Sequence, residues 1–165
     1  MGKPLRLLIV EDSEDDALLM ILALEKGGYD PVHERVENPV AMRKALLDKS
    51  WNVILCDYQM PQFNGPSAIA ILKETGIDIP LIIVSGIIGE ETAVECMRLG
   101  ACDYIMKSNL SRLASAIQRE LKETESRLQR KRSEEALRES EAKFRSMMES
   151  MTDLIYICSP KFMIE

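Results

Sequence analysis

Five short apolar runs recur over the first two thirds of the chain, and no other feature narrows the fold as much. They are Leu5-Arg6-Leu7-Leu8-Ile9-Val10, a weaker run at 32–36, Val53-Ile54-Leu55-Cys56, residues 79–84, and Tyr104-Ile105-Met106. Runs of this length suit strands, and continuous rather than alternating apolarity suits strands buried on both faces. Helix signals stand between them. Ser13 opens a helix whose first turn holds Glu14, Asp15 and Asp16, where the helix dipole favours negative charge, and Gly27-Gly28 stop it. Leu18, Leu19 and Leu22, with Met20 and Ile21, predict a broad apolar face on it. Asn38-Pro39 predicts an N-cap followed by proline at the first helical position, with the helix running to residue 48. Pro66 starts another after Asn64-Gly65, residues 90–99 form a fourth closed by Gly100, and Ser108 or Asn109 caps a fifth.

Buried strands alternating with helices predict an α/β fold with a parallel sheet covered on both faces. Right-handed crossovers wind such a sheet in both directions, and the flavodoxin-like strand order 2-1-3-4-5 suits five strands. In that order the first and third strands are neighbours at the point where the winding reverses. Ligands bind there, outside the carboxyl ends of the strands.

Polar residues stand at those ends. Glu11 and Asp12 follow the first strand, Asp57 the third, Ser85 the fourth and Lys107 the fifth. Three carboxylates crowded on one sheet edge repel one another unless a cation neutralises them. Oxygen-only ligands favour Mg²⁺, which keeps several waters and needs few carboxylates. Lys107 brings a second positive charge and Ser85 a hydroxyl donor. Such a pocket suits a tetrahedral anion beside Asp57, which would act as nucleophile and form an acyl phosphate. Neither a G-x-G-x-x-G nor a Walker A stretch follows the first strand. Phosphohydrolases with an aspartyl nucleophile usually place a second Asp two residues on, where this chain has Gln59.

Val10-Glu11-Asp12-Ser13, Cys56-Asp57-Tyr58-Gln59-Met60-Pro61, Asn64-Gly65, Val84-Ser85-Gly86 and Tyr104-Ile105-Met106-Lys107 resemble, in order and spacing, the motifs of response-regulator receiver domains. The resemblance covers residues 4–122 and implies a role for each matching residue. Glu11 and Asp12 would bind Mg²⁺ with Asp57 and the backbone carbonyl of Gln59. Asp57 would accept phosphate from a histidine kinase or phosphotransfer protein. Ser85 would swing towards the phosphoryl group, Lys107 would pair with it, and Tyr104 would be the switch aromatic. One position departs from the pattern: receivers usually have proline after the lysine, often with a cis peptide, and here Ser108 follows. A non-proline cis bond costs about 2.5–4 kcal/mol, so a trans peptide is expected.

Between Asn109 and Met151 there is no Pro or Gly, and a continuous helix of that length would extend about 65 Å. Leu110, Leu113, Ile117, Leu121, Thr124 and Leu128 follow a 3/4 spacing. Lys131, Arg132, Glu134 and Glu135 interrupt the stripe, which resumes at Leu137, Phe144, Met147 and Met151. Isolated helices are marginal in water, so a parallel dimeric coiled coil is expected, with the polar break as a weaker stretch. Ala136-Leu137-Arg138-Glu139-Ser140-Glu141-Ala142-Lys143-Phe144-Arg145 is similar to the helix that leads into PAS sensory domains, and Met151-Thr152-Asp153-Leu154-Ile155-Tyr156-Ile157 resembles the first PAS strand. The expected organisation is a receiver at 1–122, a helical linker continuing the fifth helix at 123–150, and the start of a truncated PAS domain at 151–165.

Composition removes other classes. The formal charge is −6, but residues 111–150 carry 10 Lys/Arg and 8 Asp/Glu while the remainder carries 11 and 19, so the acidity belongs to the strand-rich part and direct nucleic-acid binding is not expected. Cys56, Cys96, Cys102 and Cys158 have no metal-ligand spacing and read as reduced thiols. No apolar run approaches a membrane span, which makes a cytoplasmic protein the expectation. His33 has no partner at ligand spacing, and Met147, Met148 and Met151 read as seam packing. The function expected is a Mg²⁺-dependent phosphoacceptor in two-component signalling, self-phosphorylating and self-dephosphorylating but turning over no metabolite. It would relay its switch through a dimeric helix to a PAS or output module. The alternative is a non-phosphorylated scaffold of the same fold, used for dimerisation or partner docking.

Overall fold

The computed structural model describes residues 2–86 and 89–158, with side chains as far as Thr152. Five strands, β1 (Lys3–Val10), β2 (Tyr29–Val36), β3 (Val53–Asp57), β4 (Leu81–Ser85) and β5 (Asp103–Met106), form one parallel sheet in the order β2-β1-β3-β4-β5. The helices α1 (Glu14–Lys26), α2 (Pro39–Asp48), α3 (Gly65–Thr75) and α4 (Glu90–Leu99) each follow one strand, and a 3₁₀ turn at Lys107–Arg112 leads into α5 (Leu113–Cys158). This is the flavodoxin-like doubly wound sheet expected from the five runs.

The alternation of side chains along each strand builds two cores. Leu7, Ile9, Val53, Leu55, Ile82 and Val84 point to one face, with α1 and the start of α5; Leu8, Val10, Ile54, Cys56, Leu81 and Ile83 point to the other, with α2 and α3. Three of the expected N-caps hold: Ser13 Oγ accepts the Asp16 N–H at 3.2 Å, Asn38 Oδ1 the Ala41 N–H at 2.9 Å, and Asn64 Oδ1 the Ser67 N–H at 2.8 Å. The cap expected at Ser108 or Asn109 does not form, because both residues lie inside the 3₁₀ turn, which starts at Lys107 without a side-chain cap.

Four further details differ from the sequence expectations. β2 begins at Tyr29 rather than residue 32, because an edge strand is half solvated and Asp30 and Pro31 do not read as a buried run. The buried face of α1 is Ala17, Met20, Ile21 and Leu24, whereas Leu18, Leu19 and Leu22 are exposed. The first half of the α5 stripe serves the domain's own core, since Leu113 and Ile117 are fully buried against the sheet. Residues 151–157, expected as a strand, continue α5 instead. No strand among the described residues pairs with that segment, and a helix satisfies its N–H and C=O groups internally. Residues 159–165 of the expected PAS start lie outside the described residues.

The chain divides into two compact units, Met1–Thr124 and Glu125–Glu165. In the second, the described residues form helix, and each described side chain is exposed.

Candidate functional site

Register places the strand ends level with one another. Val10 pairs with Cys56, Asp57 with Val84, and Ser85 with Met106, so Glu11, Asp57, Ser85 and Lys107 emerge together at the carboxyl edge. Glu11, Asp57 and Ser85 are buried, Asp12 is exposed and Lys107 is half-buried. The expected constellation is therefore assembled.

Lys107 lies at its centre. Its Nζ donates to Glu11 Oε2 at 2.8 Å and to Asp16 Oδ2 at 2.5 Å, and lies 3.5 Å from Asp57 Oδ1. The other Glu11 oxygen accepts the Ser13 N–H at 3.1 Å. Burial pushes the Glu11 carboxyl above its ordinary range, against hydrogen bonds from Lys107 and Ser13 that pull it down. Burial raises Asp57 in the same way, opposed by Lys107 and by the backbone N–H groups of Tyr58 and Gln59. For Lys107 burial lowers the pKa, but hydrogen bonds to Asp16 and Glu11, with the charges of Asp57 and Glu11, outweigh it and raise the group overall. The lysine is firmly cationic.

The segment after β3 is pinned by its own backbone. Met60 N–H donates to Phe63 O at 3.0 Å, Gly65 N–H donates to Tyr58 O at 2.9 Å, and Gln59 bridges Asn64. A Cβ on Gly65 would sit 3.0 Å from Ile83 Cδ1 and 3.4 Å from the Tyr58 ring, so a side chain there would press on both as the chain returns. Tyr104 is half-buried and packs against the core on the sheet face that holds Ile83. The Lys107–Ser108 peptide is trans, as expected from the serine.

Glu11, Asp12 and Asp57 each offer one oxygen, all within 4.8 Å of one another. Three hard oxygen donors, two of them buried and raised by desolvation, fit a small divalent cation of the Mg²⁺ type. Their burial is costly for the metal-free protein and is relieved by such an ion.

Two residues at this edge escaped the sequence reading. Asp16, assigned there only to the helix dipole, reaches Lys107. Arg35, near the end of β2, donates from one nitrogen to the carbonyls of Glu11 at 3.0 Å and Asp12 at 3.3 Å, and from the other to Glu14 at 3.2 Å. Both could have been found: a helix that opens directly after β1 starts at the carboxyl edge, and Arg35 pairs in register with Ile9, beside the acidic loop.

The family model of the response regulator receiver domain matches residues 7–118. The chain belongs to that family. Receivers accept phosphate from histidine kinases and generally bind Mg²⁺ at an acidic pocket. Among relatives of this receiver, a protein-glutamate methylesterase/protein-glutamine glutaminase of Treponema denticola is 31% identical over 113 residues, 67% of this chain and 30% of that protein. The phosphate regulon transcriptional regulatory protein PhoB of Pseudomonas aeruginosa is 30% identical over 103 residues, 61% of this chain and 44% of that one. The solved structure of FixJ-N is 26% identical with a TM-score of 0.62, covering 72% of this chain and 94% of that chain. The N-terminal domain of a response regulator/sensory box/GGDEF protein from Carboxydothermus hydrogenoformans shares the fold, at 21% identity and a TM-score of 0.63, over 74% of this chain and 98% of that one. The chain spans less than half the length of these two curated relatives. Among the described residues of the receiver, no helix is long and apolar enough to cross a membrane.

Proposed function

We propose that this receiver is a working phosphoacceptor, with Asp57 as the nucleophile. The observation that carries the reading is a buried carboxylate at the end of β3, 3.5 Å from the Lys107 ammonium and within 4.8 Å of two further carboxylates. An Asp57 oxygen attacks the phosphorus of a phosphohistidine on a kinase or phosphotransfer partner. The P–N bond breaks, the imidazole leaves and takes up a proton, and an acyl phosphate remains on Asp57. Attack by water then releases inorganic phosphate and restores the carboxylate.

Glu11, Asp12 and Asp57, with the Gln59 carbonyl, are the residues that would hold Mg²⁺, which when bound neutralises phosphoryl charge. Lys107 holds a phosphoryl oxygen from the opposite side. Ser85, buried at the end of β4, supplies a hydroxyl to another oxygen as the switch forms, and Tyr104 repacks with it. The change passes in the cytoplasm through a dimer formed by the exposed part of α5, where Leu137, Phe144, Met147 and Met151 supply the seam, to a PAS or other output module.

Incubation with Mg²⁺ and acetyl phosphate, followed by intact mass measurement, tests the acceptor. The expected result is one added phosphoryl group that requires Mg²⁺ and is absent from Asp57→Asn. Beryllofluoride binding is measured in parallel, because fast self-dephosphorylation would erase the adduct. If both are absent the acceptor reading fails and a scaffold role replaces it.

A further inference from the structure

We infer that Asp16 is a positioning residue for phosphoryl transfer, acting by holding Lys107 so that its third N–H faces Asp57; this rests on the acceptor reading above. A lysine ammonium has three N–H donors. Here one goes to Glu11 Oε2 at 2.8 Å and one to Asp16 Oδ2 at 2.5 Å. Asp57 Oδ1 lies at 3.5 Å, longer than an optimal hydrogen bond. The two short contacts place the nitrogen, and the remaining donor is available to an oxygen arriving on Asp57.

This arrangement does two things. It restrains a long side chain before the reaction, so that less freedom is lost when the phosphoryl oxygens are bound. It also holds the ammonium of the Lys107–Asp57 ion pair at 3.5 Å, short of the tight hydrogen bond that would occupy the oxygen that must attack. Glu11 alone leaves the nitrogen one short hydrogen bond and free to swing to Asp57.

The helix dipole does not account for Asp16 by itself. Glu14, Asp15 and Asp16 share the first turn of α1 and the same dipole, yet their side chains go to different places. Glu14 is 84% exposed and pairs with Arg35, whereas Asp16 is 35% exposed and turns to Lys107, which is 21% exposed. The Ser13 cap holds the Asp16 backbone N–H at 3.2 Å, so the residue that grips the lysine stands on a fixed turn.

The test compares the wild type, Asp16→Ala and Asp16→Asn, with thermal unfolding to confirm that each is folded. In Mg²⁺-free protein, the ¹⁵Nζ signal of Lys107, assigned by its loss in Lys107→Ala, is expected as a slowly exchanging ammonium peak. It should disappear in Asp16→Ala and persist in Asp16→Asn, whose amide oxygen still accepts. With acetyl phosphate and saturating Mg²⁺, the phosphorylation rate of Asp16→Ala should fall about tenfold, and Asp16→Asn should recover most of it. An Asp16→Ala variant as fast as wild type, or one that keeps the ammonium peak, overturns the inference while the acceptor reading stands. A wild type that takes up neither phosphate nor beryllofluoride overturns both.

Discussion

At the residue scale, the site is expensive in the absence of a cation. Asp57 is 6% exposed and its carboxyl is raised by burial. A group raised in the folded state costs nothing below the unfolded pKa, about 4 for Asp, and costs stability as pH rises through the folded value. Asp57→Asn should therefore stabilise the Mg²⁺-free protein at pH 7 by roughly 1 kcal/mol. The difference in Tm from wild type should close as the pH is lowered below about 4; a difference that persists there would show packing rather than charge. Arg35 acts on the same loop from outside, through the carbonyls of Glu11 and Asp12. Arg35→Ala frees that loop, and calorimetric titration should show Mg²⁺ affinity falling by about tenfold, the scale typical of lost outer-shell partners.

At the element scale, two leucine-rich stretches look alike in sequence and behave differently. Ile117 on α5 is fully buried against the sheet, whereas Leu19 on α1 is 53% exposed. Ile117→Ala should cost about 2–5 kcal/mol in denaturant unfolding, and Leu19→Ala less than about 0.5 kcal/mol. The end of α1 meets the start of α5 closely: a Cβ on Gly27 would collide with the Ala114 Cβ. Gly27→Ala should destabilise by about 1–3 kcal/mol through overpacking, and Ala114→Gly in the same chain should return part of that loss in a double-mutant cycle.

At the scale of the whole molecule, the receiver unit has two buried apolar cores, whereas the unit from Glu125 onward leaves Leu137, Phe144, Met147 and Met151 between 52% and 61% exposed. Apolar residues at 3/4 spacing on an otherwise charged helix favour association. Light scattering at micromolar concentration should give a dimer for the wild type and a monomer for Phe144→Glu, with Asp57 phosphorylation by acetyl phosphate retained in both. A monomeric wild type would remove the dimer from the proposed relay.

The sequence by itself determined the sheet, its strand order and the residues at the carboxyl edge. Buried strands must be apolar throughout, parallel strands end together, and polar residues at such ends have only one place to converge. It also set the helix starts, because Ser13, Asn38 and Asn64 cap through contacts three residues away. Tertiary structure alone decided which apolar residues face inward, since α1 carries more leucine than one buried stripe can use. It extended β2, whose polar edge residues hide its pairing with β1. It continued α5 through the stretch expected as a strand. And it gave Asp16 and Arg35 their partners, 91 and 24 residues away respectively, which come beside them only once the strands are assembled in register.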